Sequence, residues 1–146
     1  MAMEVYLNFY GNCREAIAFY AKAFHLEMPV IMAYGDAPPD PEDPVANANR
    51  NLVMHTTLTI CGTVVHFSDT PPEMAFSVGN NMSLLLPYPT KEEATNVFAA
   101  LSEGGTIGME LQETFWSSFY GMLTDKFGIP WQVILYPDPK VFVPVQ

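Results

Sequence analysis

The stretch VYLNFYGNCREAIAFYAKAF, residues 5–24, decides the fold once it is set beside MSLLLPYPTKEEATNVFAALS, residues 82–102. In the first, Val5 to Phe9 reads as a strand and Asn12 begins a helix with Glu15 three residues on, an Asx version of the capping box. Ala16, Ile17, Tyr20, Ala23 and Phe24 then recur at helical spacing, which leaves one apolar face for a sheet. In the second, Met82 to Leu86 reads as a strand, Thr90 caps a helix with Glu93, and Ala94, Val97, Phe98 and Leu101 form its apolar stripe. Gly104 and Gly105 end that helix. Glu15-Ala16 and Glu93-Ala94 stand 78 residues apart, and the same offset sets Tyr20 on Phe98 and Val5 on Ser83.

Working outward, Leu26 to Tyr34 reads as a second strand. Leu52 to Cys61 and Thr63 to Ser68 follow as a hairpin about Gly62 and complete a βαβββ module over about residues 4–70. Thr106 to Gln112, Phe119 to Thr124 and Ile129 to Tyr136 complete a second module over about 82–137, the last two strands turning through Lys126-Phe127-Gly128. Gly62 and Gly128 are 66 residues apart, so the first module carries 12 extra residues. The loop 36–50, with Pro38, Pro39, Pro41 and Pro44 among acidic residues, accounts for them. A loop of that length serves as a lid, a dimer arm or a surface insertion, and the sequence leaves these open. The expected architecture is one α+β domain, residues 1–146, of two fused βαβββ modules. Each helix covers one sheet face and leaves the other to line a cleft.

With 146 residues and 49% apolar content the chain can bury one core. Sixteen acidic against six basic residues give a net charge of −10, which opposes binding to nucleic acid or an anionic membrane. No apolar run approaches the roughly 20 residues of a membrane span, and Met-Ala-Met-Glu-Val-Tyr lacks the regions of a signal peptide, so a cytoplasmic location is expected. Cys13 and Cys61 form no Cys-x-x-Cys pair and read as reduced structural thiols.

Tyr6-Leu7-Asn8-Phe9 with Glu15-Ala16-Ile17-Ala18-Phe19-Tyr20 resembles the opening of the vicinal oxygen chelate superfamily of glyoxalases, extradiol dioxygenases and bleomycin-resistance proteins. Phe115-Trp116, Tyr120-Gly121 and Thr124-Asp125-Lys126-Phe127-Gly128-Ile129-Pro130-Trp131 are similar to its PhnB-like subfamily, as are His55 ahead of Thr57-Leu58-Thr59-Ile60 and the pair Ser68-Asp69. The resemblance implies the glyoxalase/bleomycin resistance/dihydroxybiphenyl dioxygenase-like fold and a homodimer. Members of the subfamily are often labelled demethylubiquinone methyltransferases. The sequence gives that label no support, because no glycine-rich strand-to-helix loop follows Phe9 or Leu86.

Superfamily metal ligands come from the first and last strands of each module. Carried over by the two offsets, those positions are Val5, His66, Ser83 and Gln132. Val5 has no donor atom, and Gln132 stands where a glutamate is expected. A one-residue shift before Asn12 would bring Tyr6 or Asn8 inward instead. No cofactor is therefore expected. If a divalent metal binds, its donors are His66, His55 and Gln132, completed by water or Glu110.

What remains is a pocket for a small organic ligand. His66 is the acid–base or hydrogen-bonding residue, and Gln132, His55, Ser83, Trp116 and Tyr120 are the ligand-binding residues. Against this, strand histidines also serve as hydrogen-bonded structural residues, Trp116 also suits a dimer seam, and Phe127 and Trp131 suit the core. Asp125 and Lys126 read as a solvated hairpin turn, and His25 as a favourable residue at a helix C-terminus. The expected function is a metal-independent small-molecule binding protein or enzyme. The alternatives are a divalent-metal lyase, isomerase or dioxygenase, and a resistance-type protein that sequesters its ligand unchanged.

Overall fold

Strand β1 (Val5–Phe9) leads into helix α1 (Cys13–Ala23), followed by β2 (Met32–Ala33), a 3-10 turn (Tyr34–Asp36), β3 (Val53–Ile60) and β4 (Thr63–Asp69). The order then repeats as β5 (Leu84–Tyr88), α2 (Lys91–Ser102), β6 (Thr106–Gln112), β7 (Tyr120–Thr124) and β8 (Pro130–Leu135). The computed structural model describes residues 1–42 and 49–140, and the chain divides into two units, Met1–Phe76 and Ser77–Gln146. Each unit holds a four-stranded sheet of the same topology, ordered β1-β4-β3-β2 in one and β5-β8-β7-β6 in the other. In each, the first and last strands run parallel and the remaining neighbours antiparallel. The α+β fold of two βαβββ modules is thus as expected.

The register carries one correction. Val5 pairs with Val65, and Leu84 pairs with Trp131. Because Val65 and Trp131 stand 66 apart, the counterpart of Val5 is Leu84, and the first strands are offset by 79 rather than 78. The helices keep 78. Three residues, Tyr10-Gly11-Asn12, join β1 to α1, whereas only Pro89-Thr90 join β5 to α2, and that difference absorbs the shift.

Two local expectations also fail. The strand expected over Leu26 to Tyr34 shrinks to Met32–Ala33. Pro29 has no N–H to give a ladder, Val30 is 95% exposed, and the hydroxyl of buried Thr56 instead donates to the Val30 carbonyl at 2.8 Å. Asn12 makes no side-chain cap. The Asp69 carboxylate at the end of β4 caps α1 from a distance, its Oδ1 accepting from the N–H groups of Gly11 (2.8 Å) and Cys13 (3.1 Å). Its Oδ2 accepts from the Val53 N–H at 2.9 Å, so one buried carboxylate joins helix, β3 and β4. The Thr90 cap forms as read, its hydroxyl accepting from the Glu93 N–H at 3.2 Å and donating to the Glu93 carboxylate.

Helix α1 ends in a Schellman motif with His25 left-handed (φ 54°): the His25 N–H donates to Lys22 and the Leu26 N–H to Ala21. Ala16, Ile17 and Tyr20 are fully buried beneath that helix, and the rings of Tyr20 and Phe9 both lie against Phe67. In the second unit Leu101, Val97 and Phe98 cover Leu86, Trp131 and Val133. Full burial of each such side chain stabilises by about 1.5–3 kcal/mol. Gly121 lets α2 approach, since a Cβ there would lie 2.9 Å from the Phe98 ring.

The proline-rich stretch falls in irregular chain at Pro38, Pro39 and Pro41, while Pro44 and the rest of 43–48 lie outside the described residues. Arg50 closes the base of this loop, its N–H-bearing guanidinium on the Gly35 carbonyl and its own carbonyl accepting the Gly35 N–H at 2.7 Å. Among the described residues no helix is long and apolar enough to cross a membrane.

Candidate functional site

Strand alternation sorts the side chains of each sheet into a helix-covered face and an open one. In β1, Val5, Leu7 and Phe9 turn toward α1, so Val5 cannot be the cleft residue that the 78 offset made it. Tyr6 and Asn8 take the open face, together with His66 on β4 and His55 and Thr57 on β3. In the second unit the open face carries Leu85, Gln132, Met122 and Tyr120.

A hydrogen-bonded chain crosses the open face of each sheet. In the first unit His55 Nε2 lies 2.8 Å from His66 Nδ1, and His66 Nε2 lies 2.9 Å from Glu4 Oε1. Tyr6 stacks flat on His66, with ring centroids 5.4 Å apart. In the second unit the Tyr120 hydroxyl donates to Gln132 Oε1 at 2.6 Å, and Gln132 Nε2 donates to the Ser83 hydroxyl at 2.6 Å. The Trp116 ring stands edge-on to Tyr120 at 5.6 Å and is 40% exposed. Burial raises the Tyr120 phenol above its ordinary value, so the hydroxyl stays a donor.

These chains occupy corresponding positions. His66 and Gln132 are 66 apart; Glu4 and Ser83 are 79 apart, the corrected offset of the first strands. His66 pairs with Thr57 and Gln132 with Met122, an offset of 65 for the third strands, which sets His55 on Tyr120. The ligand-binding residues expected from sequence therefore fall in two clusters, His55 with His66, and Gln132 with Ser83, Tyr120 and Trp116, whereas Val5 and Glu110 join neither. Glu4 was missed. The signal for it was the apolar alternation Val5, Leu7, Phe9, which commits the odd positions to the helix and the even ones, Glu4 included, to the open face.

Other expectations sort as follows. Trp131 is core, 2% exposed, and Phe127 is half-buried beneath the Lys126 ammonium. Asp125 is not solvated: it is 3% exposed and accepts from the Trp131 indole at 2.8 Å and from the Phe127 and Ile129 N–H groups. Glu110 lies away from the chain of its own unit, lining a groove of about 360 Å³ between α2 and β6 with Phe98, Ile107, Leu111 and Phe119. Glu110 is the one ionisable side chain among the described residues that line that groove. The Cys13 thiol is fully buried and pushed up to about 12 by burial, with Asp69 adding to the rise, so it is no nucleophile.

A divalent metal, as the fold class implies, needs three or more charged or imidazole donors around an open point. Among the described residues no group of three His, Cys, Asp or Glu side chains is arranged to hold an ion. At the four positions related by the strand offsets stand Glu4, His66, Ser83 and Gln132. The last two are neutral and bonded to each other, and both His66 nitrogens are engaged. Neither unit by itself supplies the donors of a complete metal centre among the described residues.

The fold defines the class. The chain superposes on a glyoxalase-related enzyme from Fulvimarina pelagi with TM-score 0.61 and 16% identity, over 94% of this chain and 90% of that one. It superposes on the fosfomycin resistance protein FosX of Listeria monocytogenes with TM-score 0.58 and 8% identity, over 92% and 89%. This is the vicinal oxygen chelate fold. Within that class the chain belongs to the PhnB-like family described as 3-demethylubiquinone-9 3-methyltransferase, which it matches over residues 2–134. It is 32% identical to Protein YjdN of Escherichia coli (strain K12) over 139 residues, covering 91% of this chain and 94% of that one. PA1353 of Pseudomonas aeruginosa shares 32% identity and TM-score 0.79, over 92% of this chain and 97% of that one. The PhnB protein of Bacillus cereus shares 30% identity and TM-score 0.74, over 92% and 99%.

The methyl-transfer description finds no nucleotide-type donor site in these residues. The β1–α1 turn has one glycine, Gly11, whose N–H is held by the Asp69 carboxylate, and the β5–α2 turn has none. A carboxylate seated at that helix start leaves no place for an anionic cofactor group.

Proposed function

We propose that the chain binds a small organic ligand over the open face that carries Glu4, His66 and His55, and acts on it by acid–base or hydrogen-bonding chemistry without a metal. The observation that supports this reading is the Glu4–His66–His55 chain itself. It is a carboxylate-backed pair of imidazoles amid Tyr6 and Met32, exposed by 50% and 53%. Polar groups convergent on an apolar, aromatic surface suit a small organic molecule. Gln132, Ser83, Tyr120 and Trp116 form the corresponding neutral face of the second unit, where Gln132 would orient a ligand bound to that face.

The test is a screen of small phenolic and carbonyl compounds by amide chemical-shift perturbation. Binders are expected to move Tyr6, His55 and His66, and to lose at least about tenfold in affinity, roughly 1.4 kcal/mol, in His66→Ala. Compounds that bind equally well to His66→Ala would overturn the assignment. Recovery of a bound compound unchanged after long incubation separates a sequestering protein from an enzyme. A homodimer belongs to the same proposal, because each sheet ends in edge strands that need cover. Sedimentation at micromolar concentration should give twice the monomer mass.

A further inference from the structure

We infer that Glu4, His66 and His55 form a one-way proton relay whose working end is Nδ1 of His55, and that the ligand is a weak organic acid, a phenol or enol, presenting its X–H to that nitrogen. The inference rests on the ligand site proposed above and names its substrate class and the group that meets it.

The direction follows from donor and acceptor counting. A carboxylate only accepts, so the 2.9 Å contact places the His66 proton on Nε2. Neutral His66 then has a bare Nδ1, which can only accept, so His55 must donate to it from Nε2 across 2.8 Å. Neutral His55 in that tautomer has its lone pair at Nδ1, for which the described residues offer no hydrogen-bond partner. The second unit runs the same way on neutral groups: Tyr120 donates to Gln132, and Gln132 donates to Ser83. Only the first unit ends in a charge.

When the ligand's X–H bond breaks, its electron pair stays on X and its proton forms a bond to His55 Nδ1. The His55 Nε2 proton passes to His66 Nδ1. The positive charge comes to rest on His66 beside the Glu4 carboxylate, and reversal of the same steps returns the proton. Stacked on Tyr6 and hydrogen-bonded to the Glu4 carboxylate, His66 has a charge-assisted partner for that proton that His55 lacks. His55 is the catalytic residue here, and Glu4 is a positioning residue.

The test is the tautomer, read by nitrogen-15 imidazole NMR on the free protein at about pH 8.5, above the ordinary histidine value of ~6.5. Wild type should show Nε2–H on both His55 and His66. Glu4→Ala should leave His66 as a mixture of tautomers, while Glu4→Asp restores the lock. His66→Gln, which installs the residue the second unit already uses, should keep His55 as Nε2–H, because the amide oxygen accepts and the amide nitrogen donates. An Nδ1–H tautomer of His55 in wild type, or no change in His66 on Glu4→Ala, would overturn the relay. 4-Nitrophenol provides the ligand arm: its phenolate absorption should rise on binding wild type and at least threefold less with His55→Phe. Correct tautomers with no 4-nitrophenol binding would overturn the ligand class while leaving the relay, so the two failures are distinguishable.

Discussion

The two units share one topology and solve the same two problems differently. In the first, the helix start is held by a side chain from far along the chain, Asp69, and the open face ends in a carboxylate, Glu4. In the second, Leu135 stands where Asp69 would be, Thr90 and Glu93 cap the helix locally, and the open face ends in a hydroxyl, Ser83. The difference teaches that a repeated fold fixes where polar groups can sit without fixing their chemistry. The chain of the first unit ends on an ionisable carboxylate and that of the second on a neutral hydroxyl.

Removing the long-range cap should have the largest effect. Asp69→Ala leaves the buried Cys13 and Val53 N–H groups without an acceptor, and about 3–5 kcal/mol should be lost in chemical denaturation. Asp69→Asn, which keeps one accepting oxygen, should lose about half of that. Asp69→Ala tolerated at under about 1 kcal/mol would erase the contrast between the units.

The local caps give the next, smaller comparison. Thr90→Ala should cost about 1 kcal/mol, whereas Asn12→Ala, whose side chain caps nothing, should stay within about 0.5 kcal/mol. Equal losses at both positions would mean that the helices start alike after all.

The smallest effect is acid sensitivity in the second unit. Hydrogen bonds from the Ser118 N–H first, then from the Lys140 N–H and the serine hydroxyls, hold the Asp138 carboxyl below its usual range against the opposing pull of burial. A carboxyl lowered in the folded state contributes stability above its unfolded value of ~3.9 and loses it as pH falls through the folded one. Asp138→Ala should therefore flatten the acid limb of the stability curve. An unchanged limb would show that the segment after β8 is not held by this charge.

Most of the fold was legible because it rests on periodicity: the helical stripes of α1 and α2 and the alternation of β3, β4, β7 and β8 are local signals. Residues 26–31 misled because Val30 and Ile31 favour strands while Pro29 denies the ladder a donor. The Asn12 cap misled because its competitor, Asp69, lies 57 residues on, and local pattern does not see that far. The site was half legible. His55 and His66 were picked for their chemistry and do meet, but Glu4 was hidden by a one-residue difference between strand and helix offsets. Asp125 read as a solvated turn because nothing local reveals that Trp131 folds back onto it.

In the proposed function the first unit's donors, closed on one another, work without a metal. Titration of tag-free protein with manganese(II), followed by water-proton relaxation, tests it most directly. The expected result is no saturable site tighter than about 1 mM, with His66→Ala indistinguishable from wild type. One ion per chain held at micromolar concentration, and lost in His66→Ala, would contradict it.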